Sequence, residues 1–179
     1  MAHEETVMEL MNQLVYATKH DIGDLMAHKK IYTQEGASKV NNAYKILNTL
    51  VDAGQLEKGE NYFKLSGSKG THQEHSRLLT AELVKILKMD FETKIFREMF
   101  IGEKSLIPDA LILTVKGDKA ACWILEVMHN ETQEYFQQKV NVWEAWEEAN
   151  GYLSQLFGVK IKSFNLINKA GEVKDEIYH

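Results

Sequence analysis

Two carboxylates mark the ends of two apolar runs in the second half of the chain. Asp109 follows Pro108, the only proline of the chain, and leads into the run 110–115. Glu126 lies near the end of a second apolar run, 121–127. Carboxylates at neighbouring strand ends can hold a divalent metal ion such as Mg²⁺ and activate a water molecule for attack on a phosphodiester. The two residues are therefore candidate metal ligands.

The spacing of the two runs predicts that these carboxylates meet. If residues 116–119 form the turn of a hairpin, Val115 pairs with Ala120, and counting back places Asp109 opposite Glu126. Like charges directly opposite each other on a ladder are destabilising unless a cation lies between them. We therefore expect a metal ion, a lysine or an arginine beside this pair.

The position that would supply a catalytic lysine holds a different residue. In a Glu-x-Lys motif the two side chains share one face of the strand, because side chains alternate along it. Here the third position is Met128, which carries no charge and donates no hydrogen bond. Lys139, on the helix predicted to follow, is the first candidate to replace it. Lys94 and Arg97, on the preceding strand, are the others.

A third acidic ligand is predicted on a neighbouring element, either Glu98 or Glu82. An active site would then use Asp109, Glu126 and Lys139 for catalysis. It would bind Mg²⁺ through Asp109, Glu126 and Glu98. In the alternative interpretation Asp109 caps a turn and Glu126 pairs with a nearby Lys or Arg. The missing Glu-x-Lys lysine favours this non-catalytic alternative, and no cofactor other than Mg²⁺ is implied.

Hydrophobic periodicity predicts the elements of the first half of the chain. Three helices are followed by a small hairpin, which is the element order of a winged helix-turn-helix. We expect Asp21 to cap the second helix and Gly54 to end the third. The predicted helices are 4–18, 21–27 and 37–53, and the predicted strands are 55–58 and 62–65.

The second half of the chain is predicted to form a separate α/β domain. The segment 66–71 is rich in Gly and Ser and reads as a linker, so we expect domains at 1–70 and 71–179. The order helix, strand, hairpin, helix, strand is that of the restriction-endonuclease-like core with a mixed sheet. The fold class is therefore α+β. The elements outside the hairpin are helices 74–87 and 131–149 and strands 94–101 and 160–167.

The predicted third helix carries side chains suited to DNA recognition. Asn can bond adenine bidentately, and Lys can reach guanine or a phosphate. Residues 1–70 hold 8 Lys plus Arg against 9 Asp plus Glu, so phosphate attraction is weak overall. The alternative is a winged helix used for protein contact or dimerisation. The candidate DNA-binding residues are Ser38, Lys39, Asn41, Asn42 and Lys45 on the helix, with Lys58 and Lys64 on the wing.

Composition restricts the class of protein. The 179 residues are 44% apolar and carry a net charge of −5, which suits a globular chain without an overall basic surface. A single cysteine, Cys122, excludes an internal disulfide, and its place in a strand run predicts a buried thiol. There is no signal pattern and no apolar stretch long enough for a membrane span. We expect a soluble, cytoplasmic protein without a membrane partner.

Short motifs from the wing to the last strand resemble the plasmid replication-relaxation family of Gram-positive bacteria. The motifs are Tyr62-Phe63-Lys64-Leu65-Ser66, His75-Ser76-Arg77-Leu78-Leu79, Pro108-Asp109-Ala110, Ile124-Leu125-Glu126-Val127, and Lys139 ahead of Trp143. The resemblance implies a DNA-binding accessory factor of plasmid replication, relaxation or transfer, encoded on a plasmid, phage or other mobile element. This family commonly has an aspartate where this chain has Met128, which strengthens the non-catalytic interpretation.

Three functions therefore remain open. The first is a DNA-binding accessory or regulatory protein that binds double-stranded DNA and does not cut it. The second is a Mg²⁺-dependent nuclease with its lysine relocated to Lys139. The third is an interaction module that uses the helix containing Trp143 and Trp146 to form a homodimer or to bind replication or transfer proteins.

Overall fold

The computed structural model of the chain is an α+β protein that divides into two compact units, Met1–Met89 and Asp90–His179. The structure describes residues 2–33, 36–68, 73–89, 92–97, 108–116, 119–127, 132–151, 155, 158 and 161–167. Among these residues, no helix has both the length and the apolar character needed to cross a bilayer.

The described residues of unit 1 form four helices and a three-stranded antiparallel sheet of order β1-β3-β2. Apolar residues at helical spacing on α1, α2 and α3 are buried together with Leu56 and Phe63 of the sheet. Gly23 lets α2 approach α3 closely, because a Cβ there would lie 3.3 Å from the carbonyl oxygen of Lys39. The elements are α1 (Ala2–Leu14), β1 (Tyr16–Ala17), α2 (Lys19–His28), α3 (Ala37–Asp52), β2 (Leu56–Lys58), β3 (Phe63–Leu65) and α4 (Gln73–Leu87).

The junction between α1 and α2 differs from the sequence prediction in two ways. The first helix ends at Leu14 because Val15 takes a left-handed φ of 63°, and the next two residues form β1 on the edge of β3. The residue that caps α2 is Thr18, whereas Asp21 occupies the third helical position. The Thr18 Oγ1 accepts the N–H of Asp21, and the Asp21 carboxylate accepts the N–H of Thr18. Asp21 is therefore the second half of a capping box.

Helix α4 belongs to unit 1, so the division of the structure follows Met89, later than the predicted linker. A buried hydrogen bond joins α4 to the first strand: the Thr80 Oγ1 donates to the carbonyl oxygen of Tyr16 at 2.7 Å. Satisfying a buried carbonyl in this way attaches the helix to the sheet of its own unit. The sequence analysis predicted this helix but assigned it to the second domain, because it follows the Gly- and Ser-rich segment 66–71.

The described residues of unit 2 include a four-stranded mixed sheet and a long helix. The strand order is β4-β5-β6-β7; the first two pairings are antiparallel, and β6 and β7 are parallel, connected through α5. All residues from Cys122 to Val127 are buried, so both faces of β6 are covered. The elements are β4 (Glu92–Arg97), β5 (Ala110–Lys116), β6 (Lys119–Val127), α5 (Gln133–Asn150) and β7 (Ile161–Ile167).

Candidate functional site

The β5–β6 hairpin has the register that the sequence predicts. Val115 pairs with Ala120, and at the other end of the ladder Ala110 pairs with Leu125. Asp109 directly precedes the ladder, and its Oδ2 accepts a hydrogen bond from the Val127 N–H at 2.6 Å. The carboxylate of Asp109 therefore lies at the end of β6 that carries Glu126. The buried ring of Pro108 comes just before it.

Lys139 supplies the cation that the pair of carboxylates requires. Its Nζ lies 2.6 Å from the Oε2 of Glu126, whose side chain is only 4% exposed. The lysine comes from the second turn of α5 and keeps 37% of its side chain exposed. Lys139, one of the replacements proposed for the missing lysine, therefore bonds the glutamate.

The electrostatics of Lys139 reflect both acidic residues. Burial by itself lowers the pKa of this ammonium group, because it disfavours the charged form. The charge and the hydrogen bond of Glu126, together with the charge of Asp109, outweigh burial and raise the pKa above its ordinary value. The lysine is therefore fully charged at neutral pH and compensates a carboxylate that water does not reach.

Of the other residues predicted at the metal site, the structure describes Arg97 and Lys94. The Nε of Arg97 donates to the carbonyl oxygen of Asp109 at 3.1 Å, which orders the backbone beside the site. Lys94 is exposed on β4. Glu98 and Met128 lie outside the described residues, so the third metal ligand stays a prediction. Across the described part of the chain, no group of three or more His, Cys, Asp or Glu side chains is placed to hold a metal ion.

Glu82, the alternative third ligand, lies on α4 in unit 1 and is 2% exposed. Its Oε2 is 2.7 Å from the Nζ of Lys85, and its Oε1 is buried without a hydrogen-bond partner. The structure also tests the prediction made for the single cysteine. Cys122 is buried, as predicted. The side chains of Trp143 and Trp146 are not among those described, so the interaction-module hypothesis stays a prediction.

Helix α3 presents a polar stripe on its exposed side. Ser38, Asn41 and Lys45 are exposed at positions i, i+3 and i+7, a spacing that places them along one face. Asn42 and Lys39 are half-buried at the edge of this stripe. The opposite face contributes Ala43, Leu47 and Leu50 to the core. The stripe therefore contains three of the five residues predicted on this helix to bind DNA.

Two of the predicted DNA-binding lysines already pair with carboxylates. Lys39 on α3 lies 2.7 Å from Asp24 on α2, and Lys64 on β3 lies 2.9 Å from Glu57 on β2. Each is an exposed or half-exposed ion pair, of the kind that contributes about 0.2–1 kcal/mol to stability. These lysines must leave or share a carboxylate before they neutralise a phosphate.

Lys58 contacts neutral groups. Its Nζ donates to the phenol oxygen of Tyr44 at 2.8 Å and to the Oδ1 of Asn48 at 3.0 Å, which ties β2 to α3. Lys19, at the start of α2, places its own Nζ 5.2 Å from the centre of the Tyr44 ring. The side chain of Tyr44 is 36% exposed. No local pattern indicated this cluster, because its members come from three separate elements.

Comparison with known proteins returned nothing similar: no family, no curated protein and no solved structure matches this chain.

Proposed function

We propose that the protein binds double-stranded DNA through unit 1, which acts as a winged helix-turn-helix with α3 as its recognition helix. The observation that carries this proposal is the exposed stripe of Ser38, Asn41 and Lys45 on α3, flanked by the β2–β3 hairpin. Helix, strand, helix, helix and hairpin, with the strand paired to the hairpin, supply the scaffold that presents such a helix to the major groove.

The charges of unit 1 indicate how the DNA is bound. Lys39 and Lys64 are compensated by carboxylates, so few cations are free to neutralise phosphates. We therefore expect moderate affinity that falls with added salt. Asn41 can read a base edge, whereas Lys45 can reach either a base or a phosphate.

The role that we propose follows the resemblance to the plasmid replication-relaxation family. The protein acts as an accessory or regulatory factor of replication, relaxation or transfer on a plasmid, phage or other mobile element. In this role unit 2 is a restriction-endonuclease-like domain that does not cleave DNA. Its Lys139 neutralises the Glu126 carboxylate that a metal ion would need.

Fluorescence anisotropy with a labelled duplex at low salt tests DNA binding. We expect Lys45→Glu to weaken binding at least tenfold, because one attractive contact becomes repulsive. We expect Asn41→Ala to reduce discrimination between duplexes of different sequence. Lys29→Glu is the control, because it makes the same charge change at the C-terminal end of α2, outside the α3 stripe. Absence of wild-type binding, or equal affinities for Lys45→Glu and Lys29→Glu, contradicts the proposal.

A second candidate function is a metal-dependent nuclease, and one observation favours it. The Nζ of Lys139 lies 2.6 Å from the Oε2 of Glu126, and Asp109 lies at the same end of the hairpin. Plasmid cleavage with Mg²⁺ or Mn²⁺ distinguishes the two functions. Loss of cutting in Asp109→Asn, Glu126→Gln and Lys139→Met, with cutting kept in Lys94→Met, would establish the enzyme. Equal cutting by all variants would identify a contaminant.

A further inference from the structure

The lysines of the described residues differ in what compensates their charge. Five of them lie within 4 Å of a carboxylate. Lys19 and Lys58 instead meet the neutral ring of Tyr44, at 5.2 and 4.8 Å from its centre. Neither has a carboxylate within ion-pair distance in the described part of the chain. The five paired lysines are Lys39, Lys64, Lys85, Lys88 and Lys139.

The two ammonium groups form a local excess of positive charge on a unit that is otherwise close to neutral. Both lie around one ring, so they are within about 10 Å of each other. That distance is comparable to the Debye length at 0.1 M salt, and their mutual repulsion is only partly screened. The acidic residues nearest to the two lysines in sequence already have partners: Asp21 accepts hydrogen bonds from Thr18, and Glu57 pairs with Lys64 at 2.9 Å. An anion between the lysines would relieve this repulsion.

Hydrogen bonds position the Lys58 side of the cluster without a ligand. Lys58 is held by the Tyr44 hydroxyl and the Asn48 amide oxygen, and the Asn48 amide nitrogen in turn donates to the Tyr44 carbonyl oxygen at 2.7 Å. A lysine fixed in this way loses less side-chain entropy on binding than a free one. Since Tyr44 and Asn48 lie on α3 and Lys58 on β2, the cluster sits where the recognition helix meets the hairpin.

We infer that Lys19, Tyr44 and Lys58 form a phosphate-binding site that contacts the DNA backbone beside the groove occupied by α3. The inference rests on the proposed DNA binding and names the contact that sets the position of α3 on the duplex. Phosphate contacts fix the orientation of a protein on DNA, whereas base contacts select the sequence. The tyrosine hydroxyl and Lys58 act together, and Lys19 approaches from α2.

The salt dependence of DNA binding tests this site. The plot of log K against log salt has a negative slope, and each lost phosphate contact makes it less steep by about 0.9. This change corresponds to roughly an eightfold weaker affinity at 0.1 M salt. We expect that change for Lys19→Gln and for Lys58→Gln on a labelled duplex. The control Lys29→Gln removes the same charge from the opposite end of α2 and should keep the wild-type slope.

The outcomes separate this inference from the proposed function. If the wild type does not bind the duplex even at low salt, the proposed function fails. If the wild type binds and all three lysine variants share its slope, the phosphate site alone is wrong. Titration with inorganic phosphate, followed by NMR of the Tyr44 ring, distinguishes the source of the anion. A shift with phosphate but no change of slope overturns the assignment to DNA.

Discussion

Removal of the Lys139 ammonium tests the physical account of the carboxylate pair in unit 2. Lys139→Met keeps an unbranched apolar side chain, but Glu126, 4% exposed, loses the cation 2.6 Å from its Oε2. Breaking a fully buried pair costs about 3–5 kcal/mol, whereas an exposed pair contributes about 0.2–1 kcal/mol. Because Lys139 is 37% exposed, solvent screens part of the interaction. We expect unit 2 to lose about 2 kcal/mol of unfolding free energy.

Urea unfolding followed by tryptophan fluorescence measures the unfolding free energy of unit 2, because all three tryptophans of the chain lie in that unit. At a slope of about 1–2 kcal/mol per M, the midpoint should fall by roughly 1–2 M. Lys94→Met is the control, since it removes an exposed lysine of β4 from the same unit. The control should unfold within about 0.5 kcal/mol of the wild type.

A double-mutant cycle with Glu126→Gln then isolates the interaction. Once the carboxylate is neutral, Lys139→Met should cost much less, with a coupling energy of about 1–2 kcal/mol. The pKa of Lys139 is raised, so the stability it contributes is fully present below the unfolded value of 10.5. It is lost only as pH rises through the folded pKa, so the effect should be constant between pH 6 and pH 9. A coupling below about 0.5 kcal/mol would refute the account.

Three further predictions concern unit 1. Asp24→Asn removes the carboxylate 2.7 Å from Lys39 and should strengthen duplex binding severalfold at low salt, as anisotropy would show; weaker binding would contradict it. The hydrogen bond from Lys58, with a smaller contribution from Asn48, lowers the pKa of Tyr44. Ultraviolet titration should therefore show an early-ionising tyrosine that Lys58→Gln abolishes, and an unchanged curve would count against the bond. Thr18→Ala should cost unit 1 about 1 kcal/mol in thermal unfolding followed by circular dichroism, and an unchanged Tm would argue against the capping box.

Much of the local structure could be read from the sequence because it depends on near neighbours. The apolar period places α3 and α4, and the spacing of the two apolar runs predicts the register that pairs Val115 with Ala120. That register also brings Asp109 to the Val127 end of β6. Period and turn length are properties of short segments, so they survive in the folded chain.

The short strand β1 was not predictable in the same way. Two residues carry no period, and Tyr16–Ala17 become a strand only because β3, more than forty positions later, offers its edge. The cap of α2 also shifted, from the predicted Asp21 to Thr18, since both residues are good caps and the reciprocal bonds decide between them.

The sequence offered Lys139 as the first candidate partner of the carboxylates, but which of the candidate charges meet was decided by tertiary structure. Lys139 reaches Glu126 across thirteen positions because of how α5 is oriented after β6, and three elements bring Lys19 and Lys58 to Tyr44. The sequence supplied the list of titratable groups and the faces of most helices. It could not tell a lysine compensated by a carboxylate from one left with a neutral ring, because compensation depends on distances of a few ångströms between segments far apart in the chain.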